Sequence, residues 1–129
     1  MDKDQIINTI TTARLENWPC SMVLERFIKA GVEFYEVALD TFEVTYFGSQ
    51  QVWRNALNLN LLPLKIKNTL SIGKLTETWD RHQKGKTSFT MFIHAAASAG
   101  VKSYCVDIYD KTINFHGVDP TKQHCESIS

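Results

Sequence analysis

Two rhythms alternate along the chain. A helical stripe of apolar residues, Val23, Leu24, Phe27 and Ile28, runs into Ala30-Gly31-Val32. A period of two then takes over, with Tyr35, Val37 and Leu39 separated by Glu36 and Ala38. The same succession returns downstream, where Phe89, Phe92, Ile93 and Ala96 lead into Ala99-Gly100-Val101 and then Tyr104, Val106 and Ile108. The displacement is a constant 69 residues, and spans 30–48 and 99–117 are identical at 6 of 19 positions without a gap. Average residue usage gives roughly one or two such matches, so the pattern predicts two copies of one unit.

Each copy reads as helix, helix, hairpin. Ser21 and Thr87 or Ser88 are the expected N-caps of the two apolar helices. Gly31 and Gly100 fall where a helix ends in the left-handed conformation, which a residue without Cβ enters cheaply. Weaker helical patterns precede them over about 3–16 and 72–84, the second stopping at Gly85. A turn at Asp40-Thr41 places Tyr35, Val37 and Leu39 opposite Tyr46, Val44 and Phe42. A turn at Tyr109-Asp110 places Tyr104, Val106 and Ile108 opposite Phe115, Ile113 and Lys111. A four-residue loop keeps the same residues on the same face. The expected fold is a single α+β domain of two layers: a four-stranded antiparallel sheet from two helix-helix-hairpin repeats, with helices packed on one face. The repeats are expected over about 3–48 and 74–117. Between them, connector 49–73 is ambiguous: Val52-Trp53 to Ala56-Leu57 could be a helical turn and Leu64-Lys65-Ile66 a short strand. Tail 118–129, without periodicity, is expected to fray.

Composition narrows the class. At 129 residues, 43% hydrophobic and 22% charged, the chain can bury a core of its own. Fourteen basic and fourteen acidic residues cancel, which removes the positive field that nucleic-acid binding starts from and leaves no pull toward anionic lipid. Cys20, Cys105 and Cys125 are odd in number and lack CxxC spacing, which points to a reduced, cytoplasmic setting. The N-terminal residues lack the charge and apolar run of a secretory signal, and the most apolar window, Leu57 to Leu64, is far too short to span a membrane.

No Gly-rich phosphate cradle, HExxH or GxSxG occurs, so no cofactor is expected. The sheet face away from the helices carries Cys105 with Ser103 opposite His116, and Asp107 and Asn114 nearby. A thiol diagonal to an imidazole could act as nucleophile and base, with Asp107 or Asn114 as orienting group. The plainer alternative is a half-exposed sheet face on which Cys105 is small filler. His116, His124 and Cys125 match no zinc spacing, so no metal is expected. His94 reads as a solvated histidine, and Asp80-Arg81-His82 as a charged surface segment ending a helix. Phe34 and Phe47 would be cross-strand neighbours on the open face, an apolar pair better covered than wet. Trp53, in the connector, is a candidate for stacking on a ligand.

The run Gln83-x-Gly85-x-Thr87-x-Phe89-x-x-Phe92-x-x-Ala95-Ala96-x-x-Ala99-Gly100-Val101-x-x-Tyr104-x-Val106-Asp107 resembles a bacterial family of unknown function, domain-of-unknown-function family 1398, some of whose members carry the label phage envelope protein. The resemblance is good over about 75–117. It departs just before Gln83, where the family tends to have an Arg and an Asp and this chain has Asp80 and His82, so no role is carried to those positions. No catalytic residues come with the family, and what it implies is a small bacterial or prophage-linked protein. The reading from sequence is a non-enzymatic binding or accessory module whose open sheet face, through Phe34 and Phe47, meets a protein partner or a second copy. The alternative is a small hydrolase or transferase using Cys105 and His116.

Overall fold

The computed structural model describes residues 1–59 and 61–129; Asn60, in the expected connector, lies outside the described residues. The elements run α1 (Lys3–Glu16), α2 (Cys20–Lys29), β1 (Val32–Ala38), β2 (Glu43–Gly48) and β3 (Gln51–Ala56). They continue as α3 (Ile72–Gln83), α4 (Phe89–Ser98), β4 (Ser103–Asp107), β5 (Thr112–His116) and β6 (Gln123–Ser127).

Local chemistry sets the helix ends. Side-chain oxygens of Asp2, Ser71 and Ser88 accept the backbone N–H of Gln5, Lys74 and Met91 at 3.1, 3.4 and 3.2 Å, each satisfying a donor that the helix itself leaves unpaired. At the start of α2, Pro19 occupies the cap position and supplies no side-chain bond; the expected cap Ser21 lies inside the first turn. Helix α4 closes as a Schellman motif, with Gly100 at φ +94° and the N–H groups of Gly100 and Val101 donating to the carbonyls of Ala97 and Ala96, both at 3.0 Å. Gly31, at φ +87°, ends α2 in the same left-handed region.

The sheet overturns the four-stranded expectation. It has six strands in the order β3-β2-β1-β4-β5-β6, every neighbouring pair antiparallel. The added strands are its edges, and they come from segments assigned to the connector and the frayed tail. Edge strands bury little, so they carry weak apolar alternation. In β3 the outward Val52 is exposed and the inward side carries Trp53 and Asn55. In β6 the inward residues are His124 and Glu126, and the strand is secured by its ladder, by buried Ile128, and by the Trp79 indole N–H donating to the Ser127 carbonyl at 3.1 Å.

Within each hairpin the expected register holds: Tyr35 faces Tyr46, Val37 faces Val44, Tyr104 faces Phe115 and Val106 faces Ile113. The halves meet at β1 and β4, where Tyr35 faces Val106, Glu36 faces Cys105 and Val37 faces Tyr104. Two further bonds extend this seam, from Leu39 N–H to the Lys102 carbonyl at 2.8 Å and from Ile108 N–H to the Glu33 carbonyl at 3.1 Å. The inward face of the sheet joins Ile6, Leu24, Phe27, Leu75, Trp79, Phe92 and Ile93 of the helices in one core. All four helices contribute, so they cover this face and leave the other open.

The chain crosses itself closely beside both helix stops. A Cβ on Gly48 would lie 2.6 Å from the Gly31 carbonyl oxygen. At Gly100 a Cβ would run into the Thr69 carbonyl and come within 2.8 Å of the Leu70 Cα, whereas at Gly31 the nearest atom is Met1 Cα at 3.4 Å. Both Gly100→Ala and Gly31→Ala incur the left-handed penalty of about 1–2 kcal/mol, and only Gly100→Ala adds a clash with backbone. Urea titration is expected to show Gly31→Ala losing about 1 kcal/mol and Gly100→Ala at least about 2 kcal/mol more.

Candidate functional site

Between the helical layer and the centre of the sheet lies a cavity of about 440 Å³. Both halves wall it. Tyr35, Val37, Val44 and Tyr46 of β1 and β2 and Tyr104, Val106 and Ile113 of β4 and β5 form the floor. Ile10 and Ala13 of α1, Cys20, Val23 and Phe27 of α2, Trp79 and His82 of α3, and Phe89 and Phe92 of α4 form the roof and sides. The volume falls in the range of small-molecule sites, and the lining is of that kind: mostly apolar and aromatic, with a few polar groups converging.

Three of those polar groups are phenols. Tyr46, Tyr104 and Tyr35 are 1%, 4% and 8% exposed, and their rings are held edge-on and tilted around Phe27 and Phe92. Phe27 lies 5.2 Å from Tyr35 and 5.8 Å from Tyr46, and Phe92 lies 6.0 Å from Tyr104. None of the three hydroxyls makes a hydrogen bond among the described residues. No side-chain nitrogen or oxygen there is both walled off and unpartnered, so each hydroxyl keeps some accessible surface, and all three tyrosines line the cavity. A buried phenol normally finds a partner; here the space itself is what they address.

The cavity interior is electrically neutral. Burial pushes the Cys20 thiol up to about 11, and burial raises the Tyr35, Tyr46 and Tyr104 phenols as well. His82 is half-buried rather than the surface charge expected from sequence. Its ring stacks on Phe92 at 4.3 Å and 15°, and its Nδ1 lies 3.0 Å from the Thr87 hydroxyl. Burial lowers its affinity for a proton. The mouth is formed by the exposed Thr11, Arg14, Leu15, Asn17 and Ser88, from the end of α1 and the turn before α4.

The residues singled out from sequence lie elsewhere. On the open face Cys105 pairs with Asn114 and His116 with Ser103, one row apart. Burial and the nearby carboxylates of Glu36 and Asp107 raise the Cys105 thiol, which works against a thiolate nucleophile. The Asp107 carboxylate accepts the N–H groups of Tyr109 and Asp110 at 3.1 and 3.0 Å, so it shapes the β4–β5 turn. Phe34 and Phe47 do pair on the open face, stacked at 4.4 Å with 11° between planes. Trp53 turns inward at the sheet edge, stacked on Tyr46 at 5.4 Å under the Lys3 ammonium at 5.7 Å. His124 and Cys125 point to opposite faces of β6, and among the described residues no three His, Cys, Asp or Glu side chains are grouped as metal ligands. What the sequence reading missed are Tyr35, Tyr46, Tyr104, Cys20 and His82. The available signal was three phenols on an inward face where Phe or Leu would pack without needing a partner.

Residues 8–127 match the family model described as Protein of unknown function (DUF1398), and the chain belongs to that family. No curated protein matches the chain.

Protonation of His82 couples the cavity wall to stability. Its folded-state affinity for protons is depressed below the usual 6.5, so between that value and its lower folded value the unfolded chain binds more protons. Stability supplied by the neutral ring is therefore complete above about 6.5 and lost as pH falls below it. Thermal melts of the wild type and His82→Gln across this window are expected to show a difference that shrinks on acidification; a difference constant with pH would contradict the assignment.

Proposed function

We propose that this member of a family without an assigned activity is a non-enzymatic binding module, and that its ligand is a small, largely apolar molecule held in the cavity between helices and sheet. One observation carries the reading: three nearly buried tyrosines, their hydroxyls without a partner among the described residues, line a space of about 440 Å³. An apolar body filling a space of that size gains dispersion contacts along its whole lining. The absence of a low-pKa nucleophile beside a base in the cavity weighs against chemistry there.

A second reading rests on the open face. The Phe34–Phe47 stack and Val52, 38% and 61% exposed at Phe34 and Val52, form one apolar row across three strands, and a protein partner or second copy would cover it. The hydrolase alternative with Cys105 and His116 has their proximity on adjacent rows in its favour and the raised thiol against it. Free thiols at Cys20, Cys105 and Cys125 support action in the reducing cytoplasm, and no described helix is long and apolar enough to cross a membrane. The bacterial, prophage-linked setting rests on the resemblance alone. The reading of the chain as one unit duplicated is supported by positions 69 apart: Gly31 and Gly100 at φ +87° and +94°, and Phe42 and Lys111 at φ +62° and +53°.

The cavity is tested with the neutral reporter N-phenyl-naphthylamine. The wild type should bind one dye per chain with enhanced emission, and Ala13→Phe, which grows a ring from α1 into the space, should lose binding at least about tenfold while remaining folded. Undiminished binding in Ala13→Phe would refute the cavity as the site. For the second reading, sedimentation across concentration should show association that Phe34→Ser abolishes, if a second copy is what covers the face.

A further inference from the structure

Resting on the cavity reading, we infer that the ligand class is an amphipathic organic acid, with its apolar body in the cavity and its single anionic group at the mouth against Arg14. The wall sorts ligands by charge. The interior polar groups are neutral: three phenols, the Cys20 thiol and the His82 imidazole, with the Trp79 indole and the Thr90 hydroxyl beside them. A charged group placed among them would lose its hydration without a counter-ion, so the body of the ligand is uncharged.

The mouth is different. Among the described residues, Arg14 is the one charged side chain on the cavity lining. Its Nη1 donates to the Asn58 carbonyl at 3.2 Å, and among the described residues it forms no ion pair. Among the described residues no Asp or Glu lines the cavity. Helices α2 and α4 also begin at this wall, with Cys20 the first residue of α2 and Ser88 the cap of α4. Pro19 leaves the first turn of α2 without a side-chain cap, so its free N–H groups add to the positive potential near the opening. The second, independent pointer to a ligand is the pair Tyr46 and Tyr104, which line the same space, nearly completely buried, with hydroxyls unpartnered among the described residues yet not walled off. An anion at the mouth with its apolar part on the phenol floor uses both features at once.

The test compares decanoate with decanol, followed by emission of Trp18 and Trp79 on the cavity wall, in the wild type, Arg14→Gln and Ala13→Phe. The acid should bind the wild type about two- to fivefold more tightly than the alcohol, the range for an exposed ion pair. Added salt should narrow that margin, and Arg14→Gln should erase it, so that the acid binds no more tightly than the alcohol. Equal binding of acid and alcohol by the wild type, with both lost in Ala13→Phe, would overturn the acid inference and leave the cavity reading standing. Binding of neither, or binding indifferent to Ala13→Phe, would overturn both.

Discussion

The pairing of β1 with β4 is the constraint from which the rest follows. It is the ladder that joins the halves of the chain, and its register decides which side chains each half sends into the shared interior. Because alternate residues point to opposite faces, a slip of one position would carry Tyr104 and Val106 to the open face and bring Cys105 beneath the helices. The observed register, with Glu36 opposite Cys105, instead aligns Tyr35, Val37, Tyr104 and Val106 as one continuous floor. The cavity is thus a property of the seam, since neither hairpin alone supplies enough of its wall.

The centre of this fold was legible in the sequence for the same reason that it is stable. Strands β1, β2, β4 and β5 bury one full face, so their alternation is strong, and the helix stops at Gly31 and Gly100 require a conformation that few residues other than glycine adopt cheaply. The hairpin registers followed from those patterns. The edges were not legible. Trp53 packs inward while Val52 sits exposed beside it, which blurs the alternation of β3. In β6 an imidazole and a carboxylate take the places where apolar residues would have signalled a strand. The Ser49-Gln50 turn that starts β3, with Gln50 at φ +59°, also lacks the glycine or asparagine that marks a tight hairpin.

The site was hidden by a similar logic. A tyrosine with its ring in a core and its hydroxyl at an internal surface has the same place in the sequence pattern as a phenylalanine, and only the packing of the opposite layer reveals that the hydroxyl has been left room. Cys105 and His116 drew attention because their chemistry is conspicuous, yet Asp107, one of the two groups that could orient them, is engaged by two backbone amides of its own turn. His82 was hidden the other way, as part of a charged tripeptide whose third member folds back onto Phe92. Residue type announced reactivity at one place, and burial conferred an unusual environment at another.

The pair formed by His124 Nε2 and Glu126 Oε2 at 2.7 Å has a bearing on colloidal behaviour. It sits on the covered side of the outermost strand, so any foreign strand that docked beside β6 would have to lay its own greasy side next to an ionisable couple. Such polar residues on the inner side of a sheet margin discourage edge-to-edge growth. A six-stranded sheet with one uncovered face and unpaired backbone at its rim is a ready template for polymerisation, and this small polar couple makes that rim a poor one.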